Sequence, residues 1–243
     1  MKEIIKLEQV SKVYGAGNTT VYALDNVNFL ANEGEFISVM GPSGSGKTTL
    51  LNMIGALDKP TLGRVLIDGQ NISSLPERKL YLIRRNKIGF IFQNYYLIPT
   101  LTALENVLVP LLPVRRGKEI INKAKNLLEL VGLEHRINHR PKALSGGESQ
   151  RVAIARALIS DPKIILADEP TGNLDSKKGK EILNLMKQIN QEQKKTFIIV
   201  THDPEIVKET QKVFIMKDGK IVKEGTGELA DHLEEKGYGW IES

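Results

Sequence analysis

The chain contains no cysteine in 243 residues. That excludes a disulfide framework and thiolate metal sites, and it fits a reducing compartment. Aromatic residues make up only 5%, with a single Trp. No basic stripe interleaved with aromatics is present to stack on bases, so no nucleic-acid partner is expected. Neither sign of charge dominates: 34 Lys and Arg against 29 Asp and Glu give a net charge of +5. That is a mixed, solvated surface with mild attraction to anionic lipid. Long hydrophobic runs are missing too. The longest, Val107–Val114, is broken by Pro110 and Pro113 and is too short to span a bilayer. Residues Met1–Lys6 carry charge where a secretory leader needs an apolar core. There is no internal repeat and no low-complexity tract. A cytoplasmic chain is expected, as one large domain or two small ones.

What is present is organised around apolar runs that stop at polar residues. Glu35–Met40 ends at a glycine-rich loop, Ile88–Phe92 at Gln93, Lys163–Ala167 at Asp168 and Glu169, and Thr196–Val200 at Thr201 and His202. Runs this apolar predict parallel strands buried on both faces. In open α/β sheets ligands sit beyond the carboxyl ends of the strands, so four sets of polar residues converge on one edge. Helices are predicted between them over Thr48–Leu57, Pro76–Arg85, Lys118–Val131, Glu148–Ser160, Lys178–Glu192 and Pro204–Glu209, with Gly132 and Gly179 as terminal glycines. Glu3–Val10, Thr20–Ala31 and Arg64–Ile67 read as a small antiparallel layer. Asp68-Gly69 and Asp218-Gly219 read as hairpin turns, the second joining Val213–Met216 to Lys220–Lys223.

Gly41-Pro42-Ser43-Gly44-Ser45-Gly46-Lys47-Thr48 follows the first of these strands. Bare backbone N–H groups of such a loop wrap nucleotide phosphates, its Lys reaches the β/γ oxygens, and its Thr hydroxyl holds Mg²⁺. The following helix adds the positive end of its dipole. Leu144-Ser145-Gly146-Gly147-Glu148 opens another helix. Ser145 and Glu148 have capping-box spacing, but a box does not explain two glycines in a first turn, each costing about 1 kcal/mol of helix propensity. A phosphate against the N–H groups explains them. One nucleotide needs only one such helix start, and the chain carries two. Asp168 and Glu169 either cap the next turn or, behind a phosphate loop, hold a metal and orient water.

In this order, the phosphate loop, Leu144–Glu148 and Ile164–Glu169 resemble an ABC-type ATPase domain over roughly Lys6 to Glu224. The resemblance implies a RecA-like phosphate-loop core with a mostly parallel sheet, an antiparallel β layer and an inserted helical subdomain. The core is expected over residues 1–93 and 161–224, the helical part over about 94–160, within one domain 1–225, with a tail 226–243 of no assigned role. It implies a head-to-tail homodimer or paired subunits that hydrolyse ATP with Mg²⁺. Each ATP lies between Gly41, Ser43, Gly44, Ser45, Gly46, Lys47, Thr48 and Thr49 of one chain and Ser145, Gly146 and Gly147 of the other. Tyr14 stacks on adenine, Thr48, Gln93 and Asp168 serve the metal, and Glu169 polarises the attacking water. His202 touches the γ-phosphate. Gln93 links the site to a membrane partner. Asp175 crosses the interface, caps the helix at Lys178, or does both. Tyr95, Tyr96 and Leu97 pack internally or line a docking groove. His135, His139, His232 and Trp240 receive no site role.

Ile54–Asp58, Ala167–Ser176 (with Gly172-Asn173 after Pro170-Thr171), and Leu97–Pro99 with Glu105–Val107 are similar to one branch of the family. That branch covers lipoprotein release, macrolide or peptide export, and cell division of the FtsE type (LolD/MacB/FtsE). It implies a peripheral subunit on the inner face of the membrane, driving a permease with few transmembrane helices by export or force transmission. The alternatives are an importer ATPase, which differs only in its partner, and a soluble ABC protein, which usually carries tandem units or a coiled-coil insertion that this chain lacks.

Overall fold

A computed structural model describes residues 2–112 and 117–229. His232, Trp240 and the tail beyond residue 229 lie outside the described residues. A six-stranded sheet has the order β10-β9-β3-β8-β7-β6. It is formed by β3 (Phe36–Met40), β6 (Ile88–Phe92), β7 (Ile164–Asp168), β8 (Thr196–Val200), β9 (Lys212–Lys217) and β10 (Lys220–Gly225). All neighbouring pairs are parallel except β9 with β10. The second sheet is antiparallel, in the order β2-β1-β4-β5, from β1 (Glu3–Tyr14), β2 (Val21–Asn32), β4 (Leu62–Ile67) and β5 (Gln70–Asn71). β2 has the length that the run Thr20–Ala31 predicts, while β1 and β4 extend beyond Glu3–Val10 and Arg64–Ile67 and β5 is added.

Alternation along the parallel strands divides the core in two, because successive side chains point to opposite faces. Ile37, Val39, Ile164, Leu166, Ile198 and Val200 face a core shared with the antiparallel layer and with α1 (Lys47–Ile54) and α2 (Glu77–Lys87). Phe36, Ile165, Ala167, Phe197 and Ile199 face the other core. That core is completed by α3 (Ala103–Leu108), α4 (Lys118–Leu130), α5 (Gly146–Leu158), α6 (Ser176–Gln193) and Ile206 of α7 (Pro204–Lys208). Each fully buried Ile or Leu contributes about 1.5–3 kcal/mol. The helical segment therefore packs directly on the sheet.

Local signals account for most element ends. Asp68 (φ 50°) and Gly69 (φ 75°), like Asp218 (φ 47°) and Gly219 (φ 77°), take the paired left-handed values of a tight hairpin turn. Gly132 (φ 74°) follows α4 and ends it. Gly179 differs from expectation: it lies inside α6, whose N-cap is Asp175, because that cap starts the helix two residues before Lys178. The helix α3 was not anticipated. It has only six residues, too few to show a helical period, but it carries a full capping box between Thr102 and Glu105.

Asp68 ties three distant segments together. Its carboxylate accepts from Lys2 at 2.7 Å and Lys87 at 3.2 Å, and lies 3.8 Å from Lys163. The Lys2 hydrogen bond leads in holding its pKa down, to about 2 from an ordinary 3.8. A depressed carboxylate stabilises the fold above its unfolded pKa, and the contribution fades as pH falls from about 4 to about 2. Allowing for solvent screening at this partly exposed site, Asp68→Asn should cost about 1 kcal/mol at pH 7. Urea denaturation of both proteins at pH 7 and pH 2.5 checks this. The gap should be present at pH 7 and shrink in acid, and equal stability at pH 7 would remove the assigned role.

Candidate functional site

The phosphate loop forms because β3 is buried at every position and stops where the chain must turn tightly into α1. Gly41 has no space for a side chain: a Cβ there would lie 2.2 Å from the Met216 carbonyl oxygen. Gly46, the N-cap of α1, has φ 100°, and a Cβ on it would lie 2.4 Å from the Ala23 carbonyl oxygen. Gly44 takes φ 80°. Ser43, Gly44 and Thr48 are exposed while Ser45 is buried, its hydroxyl unpartnered. The cleft above the loop is walled by Val21, Tyr22, Ala23, Asp218 and Gly219, with Gly44–Thr49 as its floor. Those walls, from β2 and the β9–β10 turn, were not anticipated, since nothing local in the sequence marks them.

Lys47 donates to the carbonyls of Gly41 and Pro42, both at 2.8 Å. Two of its three N–H donors are thereby fixed, leaving one for an anion. Burial pulls its pKa down, and the nearby charges of Glu169 and Asp168 oppose that. Asp168 shows the converse: burial pushes its carboxyl up, Glu169 adds to the rise, and Lys47 opposes it. Lys47, Asp168 and Glu169 thus form one electrostatic group at the strand ends. A cation placed there relieves Asp168.

Glu169 lies in the left-handed region at φ 47°, which costs about 1–2 kcal/mol for such a residue. The amide of Glu169 donates to Val200 O at 2.9 Å, so the chain stays in the sheet for one more bond while the side chain is re-aimed. Its carboxylate lies 2.8 Å from His202 Nδ1 and accepts a longer bond from the Thr201 hydroxyl at 3.4 Å. The contact with Thr201 was not anticipated. His202 is largely exposed and lies at the end of β8.

Gln93 follows β6, and its contacts run to the loop between β7 and α6. Asn173 donates to the Gln93 carbonyl at 2.9 Å and to Asn94 Oδ1 at 3.0 Å. Gln93 Nε2 donates to Asn173 Oδ1 at 3.4 Å. A Cβ at Gly172 would come 2.8 Å from Gln93 Nε2, so a side chain there would displace the end of the glutamine. Tyr14, half exposed at the end of β1, donates to Asp58 Oδ2 at 2.8 Å. Lys12 holds Asp58 at 2.7 Å and lies 4.9 Å from the ring centroid. Asp58 therefore orients Tyr14.

Ser145, Gly146 and Gly147 are not among the residues lining the phosphate-loop cleft. They open α5, where Ser145 and Glu148 form a complete capping box. Arg136 holds Glu148 at 2.8 Å, a partner the spacing does not announce. Asp175 caps α6, accepting from Lys178 N at 3.0 Å, and pairs with the Lys178 ammonium at 2.9 Å. A separate groove lies between α2, β6 and α5, lined by Tyr81, Arg84, Arg85, Phe90, Phe92, Tyr96, Pro110 and Arg156. Tyr96 is 63% exposed and Leu82 on α2 41%. Among the described residues, no helix is long and apolar enough to cross a membrane.

Comparison with known proteins places this geometry. Residues 24–172 match the family model described as ABC transporter. An uncharacterized ABC transporter ATP-binding protein of Methanocaldococcus jannaschii, MJ0796, is 52% identical over 226 residues, covering 91% of this chain and 96% of that protein. One from Thermotoga maritima is 52% identical over 222 residues, covering 91% and 94%. Among solved structures, dimeric MJ0796 in a post-hydrolysis state bound to ADP and Pi aligns with TM-score 0.85 at 50% identity, over 92% of this chain and 98% of that one. The cbiO1 protein of Clostridium perfringens, part of the transporter complex cbiONQ, aligns with TM-score 0.86 at 30% identity, over 97% and 93%.

The tight backbone approach at Gly41 generates a prediction. Gly41→Ala should weaken nucleotide binding at least tenfold by displacing the loop from Met216, with titration of a fluorescent ATP analogue as the readout. Affinity within twofold of the unmodified chain would show that the loop tolerates the methyl.

Proposed function

The chain belongs to the ABC transporter family of ATP-binding proteins, and from that we infer that two copies, or paired subunits, bind two ATP head to tail and hydrolyse them to power a membrane partner. The observation that carries the shared-site reading is the second glycine-bearing helix start. Ser145, Gly146 and Gly147 sit at the mouth of a capped helix yet do not line the cleft of their own phosphate loop. A nucleotide bound at the partner's loop gives them a phosphate to face. The dimer of MJ0796 with ADP and Pi supports this arrangement.

In this reading Gly41, Ser43, Gly44, Ser45, Gly46 and Thr49 cradle the phosphates, and Tyr14 stacks on adenine. Thr48, Asp168 and Gln93 offer oxygen donors, the type a hard cation such as Mg²⁺ prefers, and Asp168 is the carboxylate whose burial a cation would relieve. When bound, the ion offsets charge on the phosphate oxygens. Lys47 adds its positive charge to the γ-phosphate. Glu169 accepts a proton from water as the water oxygen bonds to γ-phosphorus and the bond to the β–γ bridging oxygen breaks. His202 steadies Glu169 in its strained position and contacts the γ-phosphate. Asp175 caps α6 at the dimer interface. Positioning and charge neutralisation supply most of the rate in such transfers.

For the partner, we read the groove beside β6 as the seat of a cytoplasmic segment of a membrane subunit. Its apolar floor and the Arg85 guanidinium at its rim suit an apolar segment with an acidic end, and the cbiO1 complex is a related case of assembly. The chain then works on the inner face of the cell membrane, with residues 94–160 as a helical subdomain that carries part of the groove. Ala167–Ser176, with Gly172-Asn173, supports a partner of the lipoprotein-release, export or FtsE type, with few transmembrane helices.

Glu169→Gln should retain ATP, lose at least a hundredfold in turnover and run as a dimer on size exclusion in Mg-ATP. A monomer at saturating ATP would count against the shared site. Purified from solubilised membranes in that state, the same variant should bring down a membrane subunit with few spans, identified by mass spectrometry. Adding Arg85→Glu should release it. Recovery of a many-spanning permease with a binding protein would move the assignment to import.

A further inference from the structure

The turn after Gln93 has a constrained backbone. Two consecutive non-glycine residues, Tyr95 (φ 58°) and Tyr96 (φ 45°), lie in the left-handed region, where bulky side chains are disfavoured. The turn is closed by Tyr95 N to the Phe92 carbonyl at 3.1 Å. Arg156, near the end of α5, meets it with both arms of its guanidinium. Nη2 donates to the Tyr95 carbonyl and Nη1 to the Tyr96 carbonyl. Successive carbonyls of an extended strand point to opposite sides; here two converge on one planar fork, a geometry that suits arginine better than lysine. At its other end α5 lies close to the Tyr95 side chain: a Cβ on Gly146 would come 3.0 Å from the Tyr95 hydroxyl. Gly146 and Arg156 are ten residues apart, about 15 Å along a helix. The turn is therefore bonded to the C-terminal part of this rod, while the Tyr95 side chain reaches its N-terminal end.

We propose that Arg156 is a positioning residue for hydrolysis: it locks the Tyr95–Tyr96 turn to α5, so that Gln93 moves with the helix whose N-terminus faces the partner's nucleotide. Arrival of a phosphate at Ser145–Gly147 of α5 then shifts Gln93 in the same chain, coupling the two sites. The bond between Asn173 and the Gln93 carbonyl gives the turn a second brace, from the loop between β7 and α6. This rests on the shared-site reading above.

The test uses steady-state Mg-ATP hydrolysis by the full chain. Arg156→Lys keeps the charge but has no planar fork to span both carbonyls. It should lower kcat about tenfold and leave KM for ATP within threefold, since Lys47 and Tyr14 are untouched. Arg156→Met should lose more. Tyr96→Asn added to Arg156→Lys should recover a third or more of the lost turnover, because asparagine accepts left-handed backbone. Unchanged kcat in Arg156→Lys would overturn the proposal, as would a loss carried entirely by KM. A loss that Tyr96→Asn does not relieve would make Arg156 a packing residue and overturn it too. Thermal melts identify any variant that fails to fold, and if Arg156→Met is one, the Lys variant carries the test. Absence of turnover in the unmodified chain would strike the ATPase reading itself, not the role of Arg156.

Discussion

A parallel sheet buried on both faces leaves only its strand ends for chemistry. Each central strand here spends its side chains on two cores, one under the antiparallel layer and one under the helices. A polar residue in the middle of β7 or β8 would have to be satisfied inside a core, at a cost of roughly 1–3 kcal/mol if it were not. Polar function is therefore pushed to the first residues past the apolar runs. Gly41, Gln93, Asp168, Glu169 and His202 all stand there, on four neighbouring strands. The register pairs that join Phe92 to Asp168 and Asp168 to Val200 bring these groups level without any loop having to reach.

The same edge carries backbone strain. Glu169, Tyr95 and Tyr96 all have positive φ, and each follows a strand that cannot shift without disturbing two cores. Strain of this kind persists when its surroundings over-determine it. For Glu169 the surroundings are a last sheet bond to Val200 and the contact with His202. For the tyrosine turn they are Arg156 and Asn173. At this edge the strained residues are thus the ones whose side chains or carbonyls must leave the strand direction.

Much of this was legible in the sequence, for a physical reason. Strands buried on both faces write uninterrupted apolar runs, so Ile88–Phe92 and Thr196–Val200 come out at their observed bounds. The phosphate loop and the capping box of α5 are local patterns and need no tertiary information. What stayed hidden depends on long separations or short lengths. β9 pairs in parallel with β3 as well as forming a hairpin with β10, and only the second relation has a turn to announce it. The contacts of Arg156 with Tyr95 and of Asn173 with Gln93 link residues 61 and 80 positions apart. Gly179 misled because glycine ends helices more often than it sits inside them, whereas the Asp175 cap decided the boundary.

The two helix N-termini are built differently, and the difference bears on how they are used. α1 has no side-chain cap; its N-cap is Gly46, and its free N–H groups are left for a ligand. α5 is capped through Ser145 and Glu148, with Arg136 anchoring Glu148 from outside the helix. An uncapped end suits a site that holds its anion tightly, since the anion itself satisfies the orphan donors. A capped end remains stable with nothing bound, and Glu148 places a negative charge near any approaching phosphate. Such an end should bind its phosphate more weakly than the loop does. In the shared site proposed above, one strong and one weak contact for the same nucleotide would let an interface open and close with each ATP: the nucleotide would stay with its own loop, while the helix meeting it from the other copy could let go.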